Sequence, residues 1–319
     1  MASRLYRQRA SRCPASLRDV RAYYCDHFVF PLPEGHRFPM VKYRLLRERV
    51  AAAAIAELHV PKAATREELK RVHTADYVGR AHNGTLSGDE VRRIGFPFSA
   101  ELVERSRQSV GGTISASRAA LENGASVNMA GGTHHAFAGH GEGFCVFNDV
   151  AVAVRAHQAT GAASRFAVLD LDVHQGNGTA RIFTDDDAVF TLSVHGEKNF
   201  PFRKESSDLD LELPDGCEDE RYLETADYGI RSALADAPDL AFYVAGADPY
   251  VHDRLGRLAV TKEGLAQRDR LVFEHCARAG VPVAVVMSGG YAAEVTDTVD
   301  IHEHTVRAAA QRTTSRSPA

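Results

Sequence analysis

Tryptophan is absent from this chain of 319 residues, and methionine occurs only four times. Cysteine is scarce too. Cys13, Cys25, Cys145, Cys217 and Cys276 are odd in number, scattered, and form no CxxC pair. That usage argues against a disulfide framework or a zinc ribbon and fits a reducing compartment, so a cytoplasmic location is expected. No apolar run approaches the roughly 20 residues needed to span a bilayer. No apolar core follows the basic start, as it would in a secretory signal. Positive charge is not in excess: 38 Lys and Arg stand against 42 Asp and Glu, a net charge of −4. Neither a membrane nor nucleic acid is an expected partner. Internal repeats and low-complexity linkers are also missing, which leaves a single domain over 21–311 as the simplest parse. Residues 1–20, with five Arg and one Asp, read as a flexible basic arm, and 312–319 as a disordered tail.

What is present is ordinary globular composition, 44% hydrophobic and 25% charged. Short apolar runs alternate with longer amphipathic ones. AYYCDHF, ASVNMA, RFAVLDLD, AVFTLSV, LAFYVAG and PVAVVMS read as strands. Helices are predicted over 40–58, 65–72, 100–122, 147–160, 219–236, 262–279 and 294–310. The alternation implies an α/β fold with a mostly parallel sheet covered on both faces.

Sites in such sheets form at the carboxyl ends of strands. Here those ends carry unusual polar groups. RFAVLDLDVHQGNG supplies Asp170, Asp172 and His174; LAFYVAGADPY supplies Asp248; PVAVVMSGGY supplies Tyr291; ASVNMAGGTHHA supplies His134 and His135. Taken singly, an Asp at a strand end is a turn or cap residue and Tyr291 a packed core side chain. Asp170, Asp172 and His174 at alternate positions are a different matter. They share one face if the strand stays extended, and buried carboxylates cost several kcal/mol without a cation. No Lys or Arg lies between Arg165 and Arg181. A bound metal meets the need.

These residues carry a resemblance. GHRFPM (35–40), VHTADYV (72–78), GGTHHA (131–136), GEGFCVFND (141–149), DLDVHQGNG (170–178), DGCEDERY (215–222), AGADPY (245–250) and SGGY (288–291) occur in the order seen in zinc-dependent histone deacetylases and their bacterial acetoin-utilisation and acetylpolyamine relatives. Gln175 before Gly-Asn-Gly is most similar to class IV. The resemblance implies a three-layer arginase-like sandwich around a sheet of about eight strands. It implies hydrolysis of an acylated amine or acyl-lysine, with acetyl the first expectation and a long acyl chain or a polyamine as alternatives. Asp172, His174 and Asp248 would hold zinc, with iron as the alternative ion. His135 would be the general base, His134 its partner oriented by Asp170, and Tyr291 the oxyanion donor. The Gly143 carbonyl would receive the substrate amide, and Phe144 and Phe200 would wall the tunnel. K⁺ or Na⁺ would sit near Asp170, Ser193 and Val194. Asn177 replaces the Asp of class I, which would lower the pKa of His135. The role of Gln175 stays open.

Two other readings compete. A manganese ureohydrolase on the same fold needs further carboxylates, but Gly176 and Asn177 stand where they would fall. A non-catalytic acyl-lysine binder would have no use for the intact metal, His and Tyr set.

Overall fold

The computed structural model describes residues 20–314. Residues 1–19, the basic arm apart from Val20, and residues 315–319 lie outside the described residues. Eight strands form one sheet: β1 (Arg21–Tyr23), β2 (Glu57–His59), β3 (Ala125–Asn128), β4 (Phe166–Asp170), β5 (Val189–Gly196), β6 (Leu209–Leu213), β7 (Leu240–Val244) and β8 (Val283–Val286). Around it run α1 (Val41–Ala52), α2 (Arg66–Leu69), α3 (Ala75–Asn83), α4 (Gly88–Ile94), α5 (Ala100–Asn123), α6 (Asp149–Thr160), α7 (Asn177–Phe183), α8 (Asp219–Ala233), α9 (Lys262–Ala279) and α10 (Val295–Thr314). The last helix extends three residues past the expected end of the domain.

The strand order is β2-β1-β3-β8-β7-β4-β5-β6, and every neighbouring pair is parallel. Both faces are buried, so the central strands are continuous apolar runs whose side chains divide by parity. Ala167, Leu169, Ala241, Tyr243, Val283 and Val285 join one core with α1, α8, α9 and α10. Their neighbours Phe166, Val168, Phe242, Val244, Ala284 and Val286 join the other core with α5 and α6. This is the expected three-layer α/β sandwich.

The two strands without a counterpart in the sequence reading, β2 and β6, are the two edges of the sheet. An edge strand need not be apolar on both faces. ELH is half-buried or exposed throughout, and in LDLEL only Leu213 is buried. The three unforeseen helices, α3, α4 and α7, are nine residues or shorter. Helix α1 ends at Ala52, six residues before its expected end.

Candidate active site

Four adjacent central strands, β3, β8, β7 and β4, run parallel, so their carboxyl ends open on one edge of the sheet. That edge gathers the His pair after β3, Tyr291 after β8, Asp248 after β7, and Asp172 with His174 after β4. Residues separated by more than 150 positions in sequence meet there because of strand order alone.

The segment after β4 does not continue as a strand. Asp170 Oδ1 accepts from the Asp172 N–H at 3.2 Å, and Asp172 Oδ1 accepts from the His174 N–H at 3.0 Å. Two successive side-chain turns replace the extended backbone that alternation implied. They bend the chain so that the His174 ring faces the carboxylates of Asp172 and Asp248.

Asp172, His174 and Asp248 offer ligand atoms that all lie within 4.8 Å of one another, and all three are buried. His174 Nδ1 is 3.0 Å from Asp172 Oδ1 and 3.2 Å from Asp248 Oδ2. Metal bonds of about 2.0–2.1 Å in tetrahedral geometry give ligand-to-ligand edges near 3.3 Å, so this donor set fits a small divalent ion. Asp248 Oδ2 is buried and lacks a hydrogen bond of acceptable geometry. Burial, with Asp172 adding, pushes the Asp248 carboxyl up to about 7. Burial opposes the charged form of His174 too, but the two carboxylates outweigh it and lift the ring to about 10. Both shifts describe a cluster that favours added positive charge. Gly289 closes it tightly: a Cβ there would lie 1.9 Å from Asp248 Oδ2.

The tandem histidines have opposite partners. His134 Nδ1 lies 2.7 Å from Asp170 Oδ2, and His135 Nδ1 lies 2.7 Å from Asn177 Oδ1. Burial disfavours the charged form of both. Asp170 and Asp172 overcome it at His134, raising that ring to about 9. At His135 the neighbouring rings reinforce burial, the amide cannot compensate, and the ring falls well below its usual value. Asn177 Nδ2 points to Glu142 Oε1 at 3.4 Å, which leaves its oxygen to accept from His135 Nδ1–H. His135 Nε2 is then an unprotonated acceptor.

Tyr291 and Phe144 have ring centroids 6.1 Å apart, and Tyr291 is 6.5 Å from His174. Phe200 stands edge-on to His135 at 5.0 Å. Gly143 is left-handed, with φ +55, and a Cβ there would meet the His135 ring at 2.7 Å. Gly143, Phe144, Phe200, His135, His174 and Tyr291 all line a mouth of about 700 Å³. A smaller cavity of about 80 Å³ passes inward from Asp172 and Tyr291 to Tyr43 and Arg105. Ser193 pairs with Asp170 in the β4–β5 register, and Val194 follows it, buried. The Ser193 hydroxyl lies 2.9 Å from His195 Nδ1.

Three supporting residues were not visible in the sequence. Lys42, fully buried on α1, donates to the carbonyls of Ser288 at 3.1 Å and Gly290 at 3.3 Å, gripping the loop that carries Tyr291. Burial brings its ammonium down to about 8. Arg268, buried on α9, donates to the Gly246 carbonyl at 2.6 Å beside Asp248. Lys204 donates to the carbonyls of Glu197, Asn199 and Pro201 and so holds the loop that presents Phe200. No local pattern marks any of them.

Gln175 now has a role. Its Nε2 donates to the Glu205 carbonyl at 2.7 Å and to Asp210 Oδ1 at 2.8 Å, while its Oε1 accepts from the Glu205 N–H at 2.9 Å. The side chain pins the far end of the Phe200 loop to the metal-type segment. Gln175→Leu keeps the volume and strands these partners. Unfolding free energy is expected to fall by about 1–3 kcal/mol in denaturant titration. Unchanged stability would show that the clamp contributes nothing.

Residues 35–307 match the family model described as the histone deacetylase domain. An uncharacterized protein of Picosynechococcus sp. is 49% identical over 290 residues, covering 90% of this chain and 97% of that one. Histone deacetylase 2 of Arabidopsis thaliana is 32% identical over 242 residues, 72% of this chain and 62% of the relative. The solved structure of an HDAC homolog from Aquifex aeolicus shares the fold, with a TM-score of 0.76 at 24% identity over 90% of this chain and 84% of that one. A domain match spanning all four of the strand ends that build the site makes this chain a member of the histone deacetylase family.

Proposed function

We propose that the chain is a zinc-dependent deacylase that removes an N-acyl group, acetyl first, from a lysine or similar amine. The observation that carries this reading is a buried Asp-His-Asp donor set whose Asp172 and His174 share one cavity with the tandem His pair and Tyr291. Asp172, His174 and Asp248 would hold the ion. One nitrogen and two carboxylate donors suit zinc with one position left open, and iron is the alternative. When bound, such an ion polarises a carbonyl and lowers the pKa of water toward about 7.

The protein's own groups do the rest. The Gly143 carbonyl accepts the substrate amide N–H and sets the acyl carbonyl toward Tyr291. His135 Nε2, unprotonated and aimed by Asn177, takes the proton from the attacking water and returns it to the leaving amine. His134, kept cationic by Asp170, supplies a fixed positive charge beside the reacting carbonyl. Neighbouring rings whose environments drive their pKa values apart are a recurrent basis for dividing such roles. The Tyr291 hydroxyl, which burial keeps protonated, donates to the developing oxyanion. Phe144 and Phe200 exclude water around the acyl-bearing chain. Near Asp170, Ser193 and Val194, oxygen donors suit K⁺ or Na⁺ as a structural ion.

The direct test is turnover of a fluorogenic acetyl-lysine amide by the purified protein, its loss on chelation and its return with Zn²⁺. Full activity after verified metal removal would end the proposal. Tyr291→Phe is expected to fold and keep its metal while kcat falls about 10²–10³-fold, the scale of one oxyanion donor. A near-normal kcat would reassign Tyr291 to packing.

A further inference from the structure

The stretch 195–209 mixes both charge signs in sequence, but the surface it shows the active-site mouth does not. Lys198, Asn199, Phe200 and Phe202 line the opening, whereas Glu197, Glu205 and Asp208 do not. Asp208 is turned to the backbone and hydroxyl of Thr191, at 2.7 Å each. The rest of the mouth continues the bias. Arg37, Arg92, Arg93, Arg254 and Arg257 join Lys198 as lining residues, against the single carboxylate of Glu142. In a chain of net charge −4, positive charge has been gathered at one opening.

Stability does not account for the gathering. Arg92 pairs with Asp89, and Arg257 with Asp215. Among the described residues no ion pair reaches Arg37, Arg93, Lys198 or Arg254. Lys198 senses Asp215 only through space, and Arg254 donates to the Ala293 carbonyl. Exposed like charges crowded without counter-ions repel one another and hold nothing together. Charges at a binding rim instead steer partners and reject those of the same sign.

We infer that the substrate is an acidic peptide segment, in which carboxylates flank the acylated lysine. This rests on the deacylase reading above and names its substrate class. The cations come from four separate chain segments: the loop before α1, the end of α4, and the loops after β5 and β7. Charge distributed in that way matches carboxylates on both sides of a lysine, not one compact anion. The mouth, at about 700 Å³, has room for neighbouring residues as well as the acyl-bearing chain. Exposed Phe202 adds an apolar contact at the same rim. A polyamine, itself a polycation, is the substrate this mouth opposes.

The test uses three peptides with the same central acetyl-lysine and flanks of Glu, Gln or Lys. The expected order of kcat/KM is Glu above Gln above Lys, with about tenfold or more between the ends at low ionic strength. The order should compress at high salt, since the screening length falls from about 10 Å at 0.1 M to about 3 Å at 1 M. The double variant Arg93→Glu with Lys198→Glu, both exposed positions, should lower the rate on the Glu peptide and raise it on the Lys peptide. Flank-independent rates, or a preference for Lys flanks, would overturn the inference. So would a small N-acetyl amine with one carboxylate that matched the Glu peptide. No turnover of any peptide by the zinc-loaded protein would instead defeat the deacylase reading.

Discussion

Asp248→Asn is expected to lose the bound ion and turnover together. Wild type should hold one divalent ion at this site, and the variant close to none by elemental analysis. kcat should drop by more than about 10⁴-fold, beyond what acid–base catalysis alone supplies. The amide keeps the acceptor that Asp248 Oδ1 offers to the Val173 N–H at 3.0 Å, so the loop has reason to stay in place. What changes is charge: an amide oxygen donates weakly to a metal and cannot balance its charge. The metal-free proteins should rank the other way. Two buried carboxylates then face one imidazole, with Asp248 already pushed up to about 7, and removing one should raise the melting temperature of the metal-free chain. A variant that keeps the ion at wild-type stoichiometry would remove Asp248 from the ligand set.

His135→Ala is expected to cost about 10²–10⁴ in kcat with the metal retained, the range of a positioned general base. His134→Ala should cost less, because in the mechanism we propose that ring contributes a charge and not a proton transfer. Equal losses would leave the division between the neighbours unsupported. Asn177→Asp gives a sharper readout. A carboxylate at that position favours the imidazolium, as Asp170 does at His134, so the pKa of His135 rises. A base is useful only when unprotonated. The acid limb of the kcat/KM profile should therefore move to higher pH, and an unmoved limb would mean that another group sets it.

Local patterning was enough to single out the candidate site residues and the strand ends at which they lie. Asp170, Asp172, His174, Asp248, His134, His135 and Tyr291 each follow an apolar run bordered by Gly, a local signal that chain spacing preserves. The interior strands were legible for the same reason, since burial on both faces writes itself into consecutive apolar residues. Edge strands β2 and β6, packed less completely, leave no such trace.

The order of those strand ends, and so what surrounds each polar group, came from long-range packing. Strand order set β3, β8, β7 and β4 side by side and made one site of four segments. It brought Lys42 across 246 positions to the Ser288 carbonyl, near carboxylates whose own segment contains no Lys or Arg. It turned Lys204 and Asp208 away from the mouth and left Lys198 facing it, giving a mixed sequence one sign of charge. Such facts depend on pairings between residues far apart in the chain, and no local periodicity encodes them. A buried charge needs a partner within a few ångströms, but folding can supply that partner from any element that reaches the spot.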